Sequence, residues 1–421
     1  MRYLPAILIG RLIRFAVRLV RPGGGSALPG LVVSKLAPNL VYKTLESFPR
    51  GYVCITGTAG KSTTTKMVVA IVRAHGVEVF TNPSTANIEQ GFFSTIVRTG
   101  NLTGKVPGEI AILEMDEAHA ASVAKRVKPI TSTILNVLED QLDRFIDPAK
   151  VRETLTEVAK ATKGTVLLNA DDQNCLLIAK AMKSSSTSWF GFSKDIAEAL
   201  DLKYAPTYLP SLDKPAVETE LLKLNDKSVS VRVAAQKVEF DLPNLGAHFA
   251  LDAIAALATS KEVLGEVFDA ELAAKVLNEL PPVFSRGEIR EVNGEQVEFV
   301  LVQNPASMQL NLDNLSSELD QILFAIGRDV HDPSWLWTVD YSKLKHVSVV
   351  SGFNFADAAL VLKYSGVEID AIESDYFKAI DDFFKMPKPV SGIKTVVYSA
   401  DAMRRLRRHK GFTDPEDVAR G

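Results

Sequence analysis

The sequence predicts an α/β protein with a largely parallel sheet, followed by a second α/β domain, on three observations. From Tyr52 onward, short apolar β-branched runs alternate with amphipathic helix patterns, as strand–helix–strand units do. One strand-to-helix junction is a glycine-punctuated loop suited to phosphate. Beyond Ser285 the same alternation starts again, over about 135 residues, the size of a domain. A chain of 421 residues is long for one domain, so two or three are expected.

Composition narrows the class. With 46% hydrophobic and 24% charged residues and a net charge of −3, the chain reads as globular, without the basic field that nucleic-acid binding needs. Two cysteines, Cys54 and Cys175, are too few and too far apart for a disulfide framework or a zinc site, which suits a reducing compartment. Cys54 lies in a strand pattern and reads as a small buried thiol.

The elements follow in order. Residues 4–20 are apolar but interrupted by Arg11, Arg14 and Arg18, with Arg21 after them; the spacing of 3, 4 and 3 puts all four on one helical face. The uncharged run is too short to span a bilayer, and no cleavage site follows. A helix packing on its own domain is favoured over one lying on an anionic membrane surface. Pro22-Gly-Gly-Gly-Ser26 breaks the chain. Strands are expected at Tyr52–Thr56, Val77–Phe80, Ile110–Met115, Ser132–Asn136 and Thr165–Asn169, with helices at Lys61–Ala74, Ala118–Lys125 and Lys150–Ala161. Residues 193–242 turn polar, with β-type segments at Leu221–Val233 and Lys237–Leu242, and read as a small inserted or appended β unit. A helix, Phe249–Leu264, follows, and Pro281-Pro282 closes the region. The second alternation comprises Val297–Val302, Gln321–Ala325, His346–Ser351, Phe355–Tyr364 and Thr395–Tyr398. The basic cluster Arg404–Lys410 reads as a solvated helix end.

The loop Gly57-Thr-Ala-Gly-Lys-Ser62 carries the chemistry. Glycines at 57 and 60 let backbone N–H groups turn toward an anion, and the following helix presents its positive dipole end. Lys61 supplies a mobile charge for β/γ-phosphates, and the Ser62 hydroxyl can ligate Mg²⁺. Thr58 and Thr63 complete the loop. The strand pattern from Ile110 ends in three acids, Glu114, Asp116 and Glu117, where a carboxylate can give Mg²⁺ on a nucleotide its second protein ligand. Asp116 and Glu117 serve equally well as helix caps. Polar clusters at Asn136–Phe145 and Asn169–Asp172 follow two further strands and point to one crevice at the carboxyl edge of the sheet.

These motifs resemble the Mur ligase family, whose members activate a carboxylate with ATP as an acyl phosphate and then form an amide or peptide bond. Gly-Thr-Ala-Gly-Lys-Ser-Thr-Thr-Thr, Leu-Glu-Met-Asp-Glu, Asp-Gln-Leu-Asp-Arg-Phe and Leu-Asn-Ala-Asp-Asp match its central ATPase domain in order and spacing. Leu301-Val-Gln-Asn-Pro-Ala-Ser-Met308 and Gly327-Arg-Asp-Val-His-Asp-Pro-Ser-Trp-Leu-Trp337 resemble the C-terminal domain of the MurT branch. The resemblance implies a Mur-ligase-type P-loop ATPase domain at 46–284, with the β unit 193–242 inside it. Residues 1–45 would be an amphipathic segment packed on it, and 285–421 a Rossmann-like domain that binds a glutaminase partner.

For function, the resemblance implies ATP-dependent amidation of the D-glutamate α-carboxyl in the lipid II stem peptide, at the cytoplasmic face of the bacterial plasma membrane. Contact with the membrane-borne substrate would be peripheral. Ammonia would come from a separate glutamine amidotransferase subunit of the GatD type. Neither cysteine here sits in a nucleophile-elbow context, so no glutaminase is evident in this chain.

By the same resemblance Lys61 holds the γ-phosphate, Ser62 and Glu114 ligate Mg²⁺, Asn87 lies near the acceptor, and His248 and Arg286 reach the nucleotide. Asp332, or alternatively Asp329, completes the partner's Cys–His pair. Gln141 stands where many relatives carry a metal-binding His, and no cysteine falls in 193–242, so no zinc is expected. Two rivals remain: an amino-acid-adding ligase of Mur or folylpolyglutamate type, and a non-catalytic scaffold for an amidotransferase.

Overall fold

The computed structural model describes residues 3–20, 27–83, 88–138, 148–182, 186–199, 214–243, 246–280, 286–315 and 319–412. Its described residues form two compact units, the first ending at Leu280 and the second C-terminal to it.

In the first unit the strands are β1 (Tyr52–Thr56), β2 (Val79–Phe80), β3 (Ile110–Glu114), β4 (Thr131–Ile134), β5 (Thr165–Asn169), β6 (Ser186–Phe192), β7 (Thr219–Asn225), β8 (Ser228–Val233) and β9 (Gln236–Asp241). They lie in the order β2-β3-β1-β4-β5-β6-β7-β8-β9, parallel as far as β7 and antiparallel from there. Every residue of β1, β3 and β5 is buried, as apolar runs without alternation require when helices cover both faces. Val53 and Ile55 enter one core, with helices Lys61–Ala74, Ala247–Leu264 and Ala270–Glu279. Tyr52 and Cys54 enter the other, with Leu4–Val20, Leu40–Glu46 and Glu89–Thr99. Each such buried aliphatic side chain contributes about 1.5–3 kcal/mol of hydrophobic stabilisation.

Strand boundaries depart from the sequence pattern where backbone pairing stops. The second strand is only Val79–Phe80, because Val77 and Glu78 approach the sheet as a loop. The fourth ends at Ile134, which leaves Asn136 beyond the ladder. The β-type region expected around Leu221–Val233 is a hairpin, β7 to β8, turned at Asp226 with φ +52°. Its strands continue the main sheet, since β7 pairs with β6.

β1 sits between β3 and β4, and the helix that follows β1 packs into one core while the helices that follow β3 and β4 pack into the other. That is a topological switch point, where a crevice opens beyond the carboxyl ends of the strands.

The second unit has β10 (Arg286–Val292), β11 (Glu295–Leu301), β12 (Ile322–Ile326), β13 (His346–Gly352), β14 (Glu368–Ile372) and β15 (Lys394–Tyr398), in the order β10-β11-β15-β12-β13-β14. Only β10 and β11 pair antiparallel. Asn293-Gly294, with φ of +55° and +82°, closes that hairpin with both central residues left-handed, as a two-residue turn demands. Phe324 faces one core and Leu323 and Ala325 the other, so this sheet too is covered on both sides.

Candidate active site

The phosphate loop is built at the switch point. Gly57 takes φ +131°, and a Cβ there would stand 3.0 Å from the backbone N and O of Asn136. Gly60 takes φ +85° as the residue before helix Lys61–Ala74, and a Cβ there would overlap Asp252 Oδ1. Both positions therefore need glycine for conformation and for space. The helical ladder begins with Thr64 N–H donating to Gly60 C=O at 3.0 Å. The N–H groups of Lys61, Ser62 and Thr63 precede it and carry the positive end of the helix dipole.

Two residues whose roles the sequence did not reveal hold this loop. Asn136 grips it at three points: its backbone C=O accepts from Thr58 N–H at 3.1 Å, its Oδ1 from Ala59 N–H at 2.8 Å, and its Nδ2 donates to Ala59 C=O at 3.2 Å. Thr58 answers by accepting Leu138 N–H at 3.1 Å. Asp252, buried in the middle of helix Ala247–Leu264, accepts from Thr64 Oγ1 at 3.3 Å. An aspartate inside the alanine-rich, otherwise apolar stretch Phe249–Ala258 is the one sequence signal that marks it.

Lys61 lies over its own loop. Its ammonium donates to the Gly57 carbonyl and, at 3.0 Å, to the Thr58 carbonyl, and stands 3.6 Å from Glu117. Glu114, almost fully buried, closes β3 beside β1, where it pairs in register with Ile55. Asn82 fastens this strand end, its Oδ1 accepting from Glu114 N–H and its Nδ2 donating to Glu114 C=O, both at 3.0 Å. Ser62 is half-buried in the first helical turn. His248 lies in the first turn of its helix, four residues before Asp252 and so on the same face, its ring centroid 4.2 Å from that of Phe249. The first unit thus brings the loop and Glu114 together at one edge, with the helix bearing His248 alongside. Asn87 and Gln141 lie outside the described residues, as does the side chain of Arg286, whose backbone begins β10.

The other acids near this edge are committed to the fold. Asp116 caps helix Glu117–Ala124 by accepting Ala118 N–H, and its Oδ1 is 3.3 Å from His119 Nδ1. Asp171 takes Lys214 Nζ and Phe192 N–H. Asp172 accepts from Asn174 N–H at 2.7 Å, Cys175 N–H at 3.1 Å and Val137 N–H at 2.8 Å. It caps one helix and pins the segment beside Asn136. Burial pushes its carboxyl up to about 7, against the three N–H donors that favour the charged form. The Asn169–Asp172 cluster is therefore structural support for the crevice. Asp172→Ala strands buried N–H groups and is expected to cost about 3 kcal/mol of unfolding free energy, read from urea midpoints at constant m-value. Cys54, with burial pushing its thiol up to about 12, is an inert core residue.

In the second unit the two candidate aspartates occupy different environments. Asp329 is engaged inside its own unit: its carboxylate accepts from Ser399 Oγ at 2.6 Å, Ala400 N–H at 2.8 Å and Asp401 N–H at 3.0 Å, tying the Gly327 loop to the start of helix Ala400–Lys410. Asp332 is exposed and caps the short 3-10 turn Pro333–Thr338 through Ser334 N–H at 3.0 Å. The Ser334 hydroxyl and N–H hold its carboxyl below the usual range.

A model of the Mur ligase middle domain matches residues 55–260, and one of the MurT ligase C-terminal domain matches 301–400. A protein of Streptococcus pneumoniae named lipid II isoglutaminyl synthase (glutamine-hydrolyzing) subunit MurT is 27% identical, over 87% of this chain and 88% of its own. The protein of the same name from Staphylococcus aureus is 25% identical, over 90% of this chain and 92% of its own. Among solved structures, a MurF ligase of Thermotoga maritima in complex with ADP superposes with a TM-score of 0.64 at 19% identity, covering 93% of this chain and 85% of that one.

Proposed function

Because the chain belongs to the Mur ligase family and carries a C-terminal domain of the MurT type, we propose that it amidates the α-carboxyl of D-glutamate in the stem peptide of lipid II. The observation that carries this reading is the similarity to the two MurT subunits through both units at once, together with an intact Lys61, Ser62 and Glu114. A non-catalytic scaffold has no need of all three.

The loop then binds the nucleotide. The N–H groups of Lys61, Ser62 and Thr63 point toward phosphate oxygens, and Asn136 and Asp252 hold the loop in shape so that no reorganisation accompanies the reaction. An α-carboxylate oxygen attacks the γ-phosphorus, the bond to ADP breaks, and the ammonium of Lys61 offsets the charge that gathers on the transferring group. Ammonia nitrogen next attacks the acyl carbon, phosphate leaves, and the nitrogen loses a proton to give the amide.

The Ser62 hydroxyl and the Glu114 carboxylate form a set of hard oxygen donors that fits Mg²⁺, which when bound would neutralise charge on the β- and γ-phosphates. Ammonia would come from a glutamine-hydrolysing subunit. Asp332, exposed and ionised, would orient that partner's imidazole, whereas Asp329 spends its carboxylate on three hydrogen bonds within this chain. With a lipid-borne substrate, the chain would work at the cytoplasmic face of the membrane.

The test is amidation of lipid II with ATP and Mg²⁺, with and without a glutaminase partner. The chain alone should form isoglutamine from ammonium chloride but not from glutamine, and the pair should use both. ADP release that requires an added amino acid would instead assign the chain to the amino-acid-adding ligases.

A further inference from the structure

Helix Leu4–Val20 has two apolar faces, and the domain uses only one of them. Ala6, Ile7 and Gly10 are buried, and a Cβ at Gly10 would stand 2.6 Å from a Val33 methyl, so the helix lies close against its neighbours. Arg11 turns toward the protein, its guanidinium donating to the carbonyls of Val97 at 3.2 Å and Gly100 at 2.5 Å. The opposite face carries Leu8, Leu12 and Phe15, spaced 4 and 3 residues apart and 44%, 68% and 65% exposed. Ile9 beside them, and Leu28 and Leu31 on the adjoining helix Ala27–Leu36, are also exposed. Singly exposed leucines are ordinary, but a stripe of large apolar side chains on one rigid helix is a contact surface.

We propose that this outward face docks on an anionic lipid surface, with the helix lying in the interface plane. Charge selects the occupant. The first 45 residues hold five Arg and two Lys and no Asp or Glu, whereas all 51 acidic residues of the chain lie beyond them. A positively charged segment around an apolar stripe is complementary to acidic headgroups over acyl chains. A symmetric pairing of two copies through the same face would bring these like charges together. No helix among the described residues is long and apolar enough to cross a membrane, so the contact is peripheral. The proposal deepens the functional reading, on which it rests for its purpose: it would hold the crevice at the surface where a lipid-anchored acceptor resides.

Co-sedimentation of the full chain with vesicles tests it, without ATP or lipid II. Vesicles of phosphatidylglycerol and phosphatidylcholine should retain the protein, vesicles of phosphatidylcholine alone should retain it less, and added salt should weaken the binding. Leu12→Glu together with Phe15→Glu, both at exposed positions, should weaken binding about 10-fold or more with an unchanged melting temperature. Equal binding of variant and parent, or no binding of the parent to anionic vesicles, overturns the proposal. So does a concentration-dependent dimer in light scattering that the double variant dissociates, which would give the face to a second copy. Amidation of detergent-solubilised lipid II, measured beside these, separates the readings. Lost amidation with intact vesicle binding sinks the functional reading alone, and intact amidation without vesicle binding sinks the docking alone.

Discussion

Lys61→Ala is expected to lower amidation at saturating ammonium chloride by about 10²-fold or more, as removal of one preorganised charge at a transition state does. The side chain contributes little to the fold, so the loss should be chemical. Its partners include the carbonyls of Gly57 and Thr58 and the carboxylate of Glu117, in a part-buried position that water reaches once the lysine is gone. Replacing those contacts by water should shift stability by no more than about 1 kcal/mol, and an unchanged melting curve would establish that. Lys61→Arg should not restore the rate, because a planar guanidinium cannot take the place of a compact ammonium on a flexible stem. Phosphate release measured with lipid II and ammonium chloride reads the effect without involving any partner subunit. An unchanged rate would remove the loop from the mechanism.

The features legible in the sequence are those written locally. Gly57 and Gly60 announce left-handed backbone before a helix, and the β-branched run before them announces a buried strand; both are found. Asn293-Gly294 is an equally local hairpin signal, although the elements expected from the sequence include no hairpin there. What stayed hidden depends on distance. Asn136 grips Ala59 across 77 positions, and Asp252 reaches Thr64 across 188. Strand β14, Glu368–Ile372, lies exposed along most of its length at a sheet edge, and its polar–apolar alternation runs over too few residues to stand out. Carboxylates after strands are the most ambiguous case. Asp172 and Glu114 both follow apolar runs, yet one caps a helix while the other does not, and only the surrounding N–H groups tell them apart.

The same ambiguity between Asp329 and Asp332 yields the second large effect. Asp332→Asn is expected to lower glutamine-dependent amidation by the assembled pair by about 10³–10⁴-fold, the scale on which a triad aspartate acts through its imidazole. Amidation from ammonium chloride should stay unchanged, because ammonia supplied directly bypasses the glutaminase. Asparagine keeps the cap on Ser334 N–H through its remaining oxygen and removes the charge at an exposed position, so folding is preserved and the split between the two nitrogen sources carries the inference. Asp329→Asn should behave oppositely. One of its oxygens accepts from Ala400 N–H while the other takes Ser399 Oγ and Asp401 N–H, so an amide there sets an N–H₂ group against a donor. That variant should lose about 1–3 kcal/mol of stability without separating glutamine from ammonia. If Asp329→Asn alone split the two activities, the assignment would reverse, and the exposed carboxylate at 332 would be left as the cap of a surface turn.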